Sequence, residues 1–217
     1  MAEMKPPPIV VIGDVVGSRT AAHRGRLHDR LSAALAETNR RWDADLRITV
    51  GDEYQGTLPS LGAATAAVLW LRVALLPEHD LRHGIARGDV RILDSRTGVQ
   101  DGPGWWAARA AIDEVHDLAG RPATRGARTT YREADDVGGG PAPGLPGALR
   151  AALLARDELV GRLDERSLSV LRGLLAGRTQ REIAAELGLS GSAVSQRVRR
   201  DGIGVVLQTT AWLEDLG

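Results

Sequence analysis

The chain of 217 residues has no cysteine, which removes disulfides, thiolate metal sites and cysteine nucleophiles and fits a reducing compartment. Lysine is almost missing: Lys5 is the single lysine among 28 basic residues. Arginine therefore stands wherever a cation is needed, and one arginine alone says little. Neither sign of charge dominates, because Asp plus Glu also number 28. Bulk electrostatics thus announces no nucleic acid, and any basic patch has to be local. Long apolar runs are lacking as well. The longest, 61–76, is interrupted by Arg72 and falls short of a membrane span. Near the start, the few apolar residues after Pro6-Pro7-Pro8 are too short a run for a signal peptide. A cytoplasmic protein with no membrane partner is expected.

What is present is an ordinary globular composition, 43% hydrophobic and 26% charged, enough for one large domain or a medium domain plus a small one. Ile9-Val10-Val11-Ile12 is a continuous β-branched run, the pattern of a strand buried on both faces, and it ends at Gly13-Asp14. A helix is expected from about 23 to 42, with Leu27, Leu31, Ala34, Leu35 and Thr38 on one stripe. The stretch 47–58 follows as a hairpin whose strands, 48–50 and 54–58, are joined by Gly51, Asp52 and Glu53. Adjacent carboxylates at a hairpin tip, beside a glycine that admits a close neighbour, suit a cation or a proton transfer. A helix over 61–76, stopped by Pro77, and a strand over 81–92 complete the order strand, helix, strand, strand, helix, strand.

That order is the split βαβ of a ferredoxin-like domain, an α+β fold in which an antiparallel sheet carries helices on one face. It sets the first and third strands side by side, so Asp14 and Asp52 can meet. Beyond it, a helix over 105–118 carries Arg109, and 129–131 is a short strand or an irregular arm. Trp105 and Trp106 are expected in the core, with a base-stacking role for one of them as the alternative, and His83, on an apolar strand, is expected to be a core histidine. The Gly- and Pro-dense stretch 138–147 is expected to be a linker. It divides the chain into a palm domain over 1–137 and a small all-α domain over 148–217.

In the second part Thr179 and Glu182 form a capping box, Gly188 closes a helix, Leu189 plugs a turn, and Val194 and Val198 hold down a second helix. This is a helix-turn-helix. It leaves Ser192, Ser195, Gln196, Arg199 and Arg200 outward, with Arg197 flanking, and such hydroxyls, amide and guanidiniums read base edges or grip phosphates of double-stranded DNA. The segment resembles the helix-turn-helix of LuxR-type and sigma-factor-like regulators, "T-x-x-E-I-A-x-x-L-G-x-S". A trailing helix over 204–216 is too apolar at Val205, Leu207, Trp212, Leu213 and Leu216 to be left in water, so a homodimer is expected.

Three stretches of the first part, Ile12-Gly-Asp-Val-Val-Gly17, Thr49-Val-Gly-Asp-Glu-Tyr54 and Arg82-His-Gly-Ile-Ala-Arg-Gly-Asp-Val90, are similar to class III nucleotidyl cyclases, and Val50–Tyr54 is similar to the GGDEF signature of diguanylate cyclases. More narrowly, "IGDVVGSR", "GDEYQG" and "DGPGWWAARAA", with a C-terminal helix-turn-helix, resemble the SatD family. The resemblance implies a nucleotide site made by Gly13, Asp14, Val15, Val16, Gly17, Ser18, Arg19, Asp52 and Arg109. It also implies Mg2+ held by Asp14 and Asp52, whose hard oxygens suit that ion. If the palm is an enzyme, Asp14, Asp52, Glu53 and Arg109 are its catalytic residues. The cyclase asparagine four residues before that arginine is Trp105 here. A DNA-binding regulator that senses a nucleotide is therefore the first expectation, and a metal-dependent nucleotidyl cyclase or nucleotidyltransferase with a regulatory tail is the alternative.

Overall fold

In the computed structural model, residues 8–17, 24–135 and 144–216 are described. Strand β1 (Ile9–Val15) is buried on both sides because each face is covered by helices. Ile9 and Val11 pack with Leu27, Leu31 and Leu35 of α1 (Arg24–Trp42) and with the inner residues of α2 (Leu61–Leu75). Val10 and Ile12 pack the other way, against Ala108 and Ile112 of α3 (Pro103–Ala119). The unbroken β-branched run is thus a strand that alternates between two separate cores.

The remaining strands are β2 (Asp45–Val50), β3 (Glu53–Leu58), β4 (Leu81–Arg87) and β7 (Thr129–Glu133), in the order β2-β3-β1-β4-β7. β1 lies between β3 and β4 and is antiparallel to both, the arrangement that the split βαβ order requires. Residues 129–131 form a strand, not an irregular arm: they belong to β7, which joins β4 in parallel and makes the sheet mixed. The crossover helices α1 and α2 share one face, and α3 adds a second layer on the other. Gly84 lets α3 approach: a Cβ there would run into the Ala108 carbonyl and the Ile112 amide.

The strand expected over 81–92 is two elements. β4 stops at Arg87, and β5 (Arg91–Asp94) pairs instead with β6 (Val99–Asp101) in a separate hairpin. The chain turns away at Gly88-Asp89 because the start of α3 holds it there, the Gly104 amide donating to the Asp89 carbonyl at 3.0 Å. The tryptophans of α3 also divide. Trp105 is half-buried against the α3 core, whereas Trp106 is 62% exposed and donates from Nε1 to Asp101. Consecutive helix positions lie about 100° apart, so one of the pair has to leave the sheet.

The C-terminal part is α4 (Leu145–Gly161), α5 (Glu165–Leu175), α6 (Gln180–Leu187), α7 (Gly191–Arg200) and α8 (Ile203–Glu214). Of the Gly/Pro-rich stretch, 138–143 lie outside the described residues, while Leu145-Pro146-Gly147 forms the first turn of α4. Proline is tolerated there because the first N–H groups of a helix have no intrahelical partner. Leu149 and Leu153 of α4 and Leu213 of α8 enter the same core as β1, α1 and α2. The far side of α2 does the converse: Leu69 and Val73 pack among Val170, Leu171, Val194 and Val206 of the helical part. A helix buried nearly all round, as α2 is, needs walls on both sides.

Polar groups follow the same seam. Arg72 of α2, 2% exposed, pairs with Asp80 at 2.7 Å and with Asp157 of α4 at 3.0 Å. Asp157 also accepts from the backbone amides of Arg128 and Thr129. Buried Arg156 donates to the Thr65 carbonyl, and Arg172 of α5 to the carbonyls of Val73 and Leu76.

Candidate functional sites

At the carboxyl end of β1 the sheet register places Arg82 opposite Asp14, and Gly13 between Tyr54 and His83. Asp14 Oδ1 accepts from Arg82 Nε at 2.8 Å, and its Oδ2 lies 2.8 Å from His116 Nε2 on α3. Arg82 Nη1 reaches His116 Nδ1 at 2.8 Å. An arginine has only donors, so Nδ1 accepts, and a neutral His116 then carries its proton on Nε2 and donates it to Asp14. The three side chains close a ring in which every pairing is a donor facing an acceptor. Beside it, Arg109 grips Glu53 with both terminal nitrogens, at 3.1 and 2.7 Å, and this bidentate pairing raises the arginine pKa.

The hairpin tip is tied to β1. Asp52 Oδ2 accepts from the Val15 amide at 3.3 Å, so Asp14 and Asp52 come to the same end of the sheet. Val15 is buried in the core, and the Val16 amide donates to the Asp80 carbonyl. Ser18 and Arg19 lie outside the described residues. Gly13 admits a protein group. A Cβ at this position would overlap the Tyr54 ring, which crosses the strand to place its hydroxyl 2.5 Å from His83 Nε2. Tyr54 and His83 are both fully buried. Burial, reinforced by the nearby Arg72 charge, pushes the His83 pKa down to about 3, and burial with the Asp14 charge drives Tyr54 well above its ordinary value.

These placements bear on Mg2+, which asks for a near-octahedral set of oxygen ligands. Asp14 has each oxygen engaged by a nitrogen of Arg82 or His116, and Asp52 faces a backbone amide. Among the described residues no three or more His, Asp or Glu side chains gather closely enough to hold a metal. An ion at this end of the sheet would have to take Asp14 from Arg82 and His116, and Asp52 from the Val15 amide. The groups here with affinity for a phosphate are Arg82, His116 and Arg109. Sequence reasoning missed Arg82 and His116, although a signal existed: Arg109, Asp113 and His116 recur at helical spacing on α3.

The second candidate site is the face of α7. Thr179 caps α6 through a complete capping box with Glu182, Gly188 takes a left-handed conformation at φ 62°, and Ser190 caps α7 by accepting from the Ala193 amide. Val194 is fully buried and Val198 packs beside it. Ser192, Gln196, Arg199 and Arg200 are exposed, and Ser195 is half-buried. Arg197 turns inward. Its Nη1 lies 2.9 Å from both oxygens of Asp164 and 2.6 Å from Ser167 Oγ. Asp164 caps α5, and the Ser167 amide together with Arg197 holds its pKa down to about 2. Arg197 therefore braces α7 against α5. The trailing α8 buries Ile203, Val206 and Leu213 and leaves Val205 and Trp212 exposed.

Comparison with known proteins gives two family matches: the SatD family over residues 8–136 and the winged helix-turn-helix DNA-binding family over residues 176–200. Among the described residues α7 is followed by α8 and no wing hairpin. No curated protein matches the chain. Several solved structures are similar to it. Adenylate cyclases from Trypanosoma brucei in their monomeric state share 19% identity over 53% of this chain and 71% of theirs, with a TM-score of 0.42. The guanylyl cyclase domain of the RhoGC fusion protein from the aquatic fungus Blastocladiella emersonii shares 16% over 50% and 74%, with a TM-score of 0.38. A regulator of polyketide synthase expression from Bifidobacterium adolescentis shares 18% over 96% and 85%, with a TM-score of 0.26.

Proposed function

The chain belongs to the SatD family, and from that premise and the exposed face of α7 we propose that it is a DNA-binding transcriptional regulator whose palm region senses a nucleotide. The observation that carries the first half is the division of labour on α7. Val194 and Val198 anchor the helix, Arg197 is committed to Asp164, and Ser192, Gln196, Arg199 and Arg200 are left for a partner. An exposed hydroxyl at the start of a recognition helix and an exposed amide at its middle suit base edges in the major groove, and the two arginines at its end suit phosphates. Two such helices read two half-sites, and the exposed Val205 and Trp212 of α8 supply an apolar stripe on which two chains can pair.

The sensing half rests on Arg82, His116 and Arg109 at the carboxyl end of β1. A nucleotide's phosphates, with or without accompanying Mg2+, would compete with Asp14 and Glu53 for these groups. Sensing is favoured over catalysis because Asp14 is held by Arg82 and His116 and Trp105 replaces the cyclase asparagine. Fluorescence anisotropy at moderate salt, comparing a duplex from the chain's own upstream region with a random duplex, tests the regulator. Equal affinity for both would end that reading. A thermal-shift screen with nucleoside triphosphates, with and without Mg2+, tests the sensor, and a product found by mass spectrometry and lost in Asp52→Ala would turn the palm into an enzyme.

A further inference from the structure

A cavity of about 300 Å3 lies where α1 and α2 of the palm meet α5 and α8, apart from both the charged end of the sheet and the face of α7. The volume is at the lower end of the range for small-molecule sites, about 300–1,000 Å3, and suits a molecule of one or two rings. Trp42 and Trp70 form one wall, meeting edge to face with ring centroids 6.2 Å apart. Leu175, Leu207 and Ala211 line the other side.

Arg41 completes the pocket. Its guanidinium lies 4.9 Å from the ring centroid of Trp42 and 4.5 Å from that of Trp70, so a side chain on the surface is held in place by cation–π attraction. Nη2 donates to the Leu175 carbonyl at 2.6 Å, and Arg41 makes no carboxylate ion pair among the described residues. A positioned guanidinium whose neighbouring carboxylate, Glu37, is already gripped by Arg40, set beside aromatic and aliphatic walls, is complementary to a flat apolar body bearing one carboxylate. Glu214, also at this cavity, is exposed to solvent.

We propose that this cavity binds a small aromatic carboxylate, its ring against the indole and leucine walls and its carboxylate on Arg41. Leu175 is the last residue of α5, and α6 opens at Gln180, so Arg41 grips the corner that leads into the helix-turn-helix. A carboxylate that takes guanidinium N–H groups, and a ring that props α5 away from α1, change the same corner. The consequence for DNA rests on the regulator reading; the binding step does not.

Calorimetric titration of the full chain with 2-naphthoate, 2-naphthol and 2-naphthylmethylamine tests the proposal. Naphthoate binds once per chain, and the neutral and cationic probes bind more weakly. Arg41→Gln, which keeps a donor for Leu175 but loses the charge, weakens naphthoate by about tenfold or more. Ala211→Trp, at an exposed position, fills the cavity and abolishes binding while circular dichroism and melting stay unchanged. No binding, binding unaffected by Ala211→Trp, or equal affinity for the three probes overturns the assignment. In anisotropy, naphthoate shifts the DNA affinity of the wild type and not of Ala211→Trp. Naphthoate that binds without any such shift overturns the coupling, whereas absence of DNA binding in every condition counts against the regulator reading and leaves the calorimetry to decide the pocket.

Discussion

The guanidinium of Arg72, in the second helix of the palm, meets the carboxylate of Asp157, in the first helix of the C-terminal part, at 3.0 Å with both side chains 2% exposed. Removing the carboxylate leaves Arg72 with Asp80 and the backbone carbonyl of residue 157, and it strips the Arg128 and Thr129 amides of their acceptor. Breaking a buried pair in this way costs about 3–5 kcal/mol. Asp157→Ala is therefore expected to lower stability by that amount in urea titrations. Circular dichroism and tryptophan fluorescence should still report a single coincident transition, because α2 belongs to the cores of both parts. Separate transitions for the two probes would contradict the shared core.

The arginines of α7 differ in what holds them, and salt dependence can separate them. Arg199 and Arg200 are exposed, whereas Arg197 is bound to Asp164 and Ser167. An arginine that neutralises one DNA phosphate adds about 0.9 to the steepness with which log K falls against log salt. Arg199→Ala and Arg200→Ala should each flatten the slope by about that much, with little change in melting temperature. Arg197→Ala should instead destabilise the fold and lower affinity at all salt concentrations without flattening the slope.

His83 gives the protein an acid sensitivity that surface histidines do not. Its folded pKa is about 3, whereas the unfolded chain takes up a proton near about 6.5. Below that value the unfolded state binds a proton that the folded state refuses, so stability is lost as pH falls. Between about pH 7.5 and pH 5.5 the loss from this residue is about 1.4 kcal/mol. In His83→Gln, which retains a hydrogen-bonding group for Tyr54, unfolding free energies at the two pH values should lie correspondingly closer together. An undiminished difference would place the sensitivity elsewhere.

Much of this architecture was legible because it follows from period and punctuation. The β-branched run of β1, the stripe of α1, the capping box at Thr179 and the left-handed Gly188 each carry a local physical reason, and the structure shows all four. Two kinds of feature were not legible. One is the register between elements distant in the chain: helical spacing puts His116 on the same face of α3 as Arg109, but that Arg82 and His116 both arrive at Asp14 depends on how the sheet and α3 pack. The other is double use of one element. The burial of α2 on both sides is visible only in an apolar composition without a clear stripe, a pattern equally consistent with a helix simply rich in alanine and leucine.

Gly13 illustrates the same point at one residue. From sequence it ends a buried strand beside a carboxylate, and the family resemblance puts it in a nucleotide site; in the structure the Tyr54 ring fills the space over it. The Cβ of Gly13→Ala would overlap that ring, which is fully buried and fixed by its hydroxyl on His83. Overpacking of this kind costs about 1–3 kcal/mol. Tyr54→Leu alone is also destabilising, through the volume it removes and the partner it takes from His83. In the double variant the smaller side chain makes room for the alanine methyl, so the combined loss should fall short of the sum of the single losses by about 0.5 kcal/mol or more, measured in a double-mutant cycle by urea unfolding. Strict additivity would mean that the two residues do not share the space in which the structure places them.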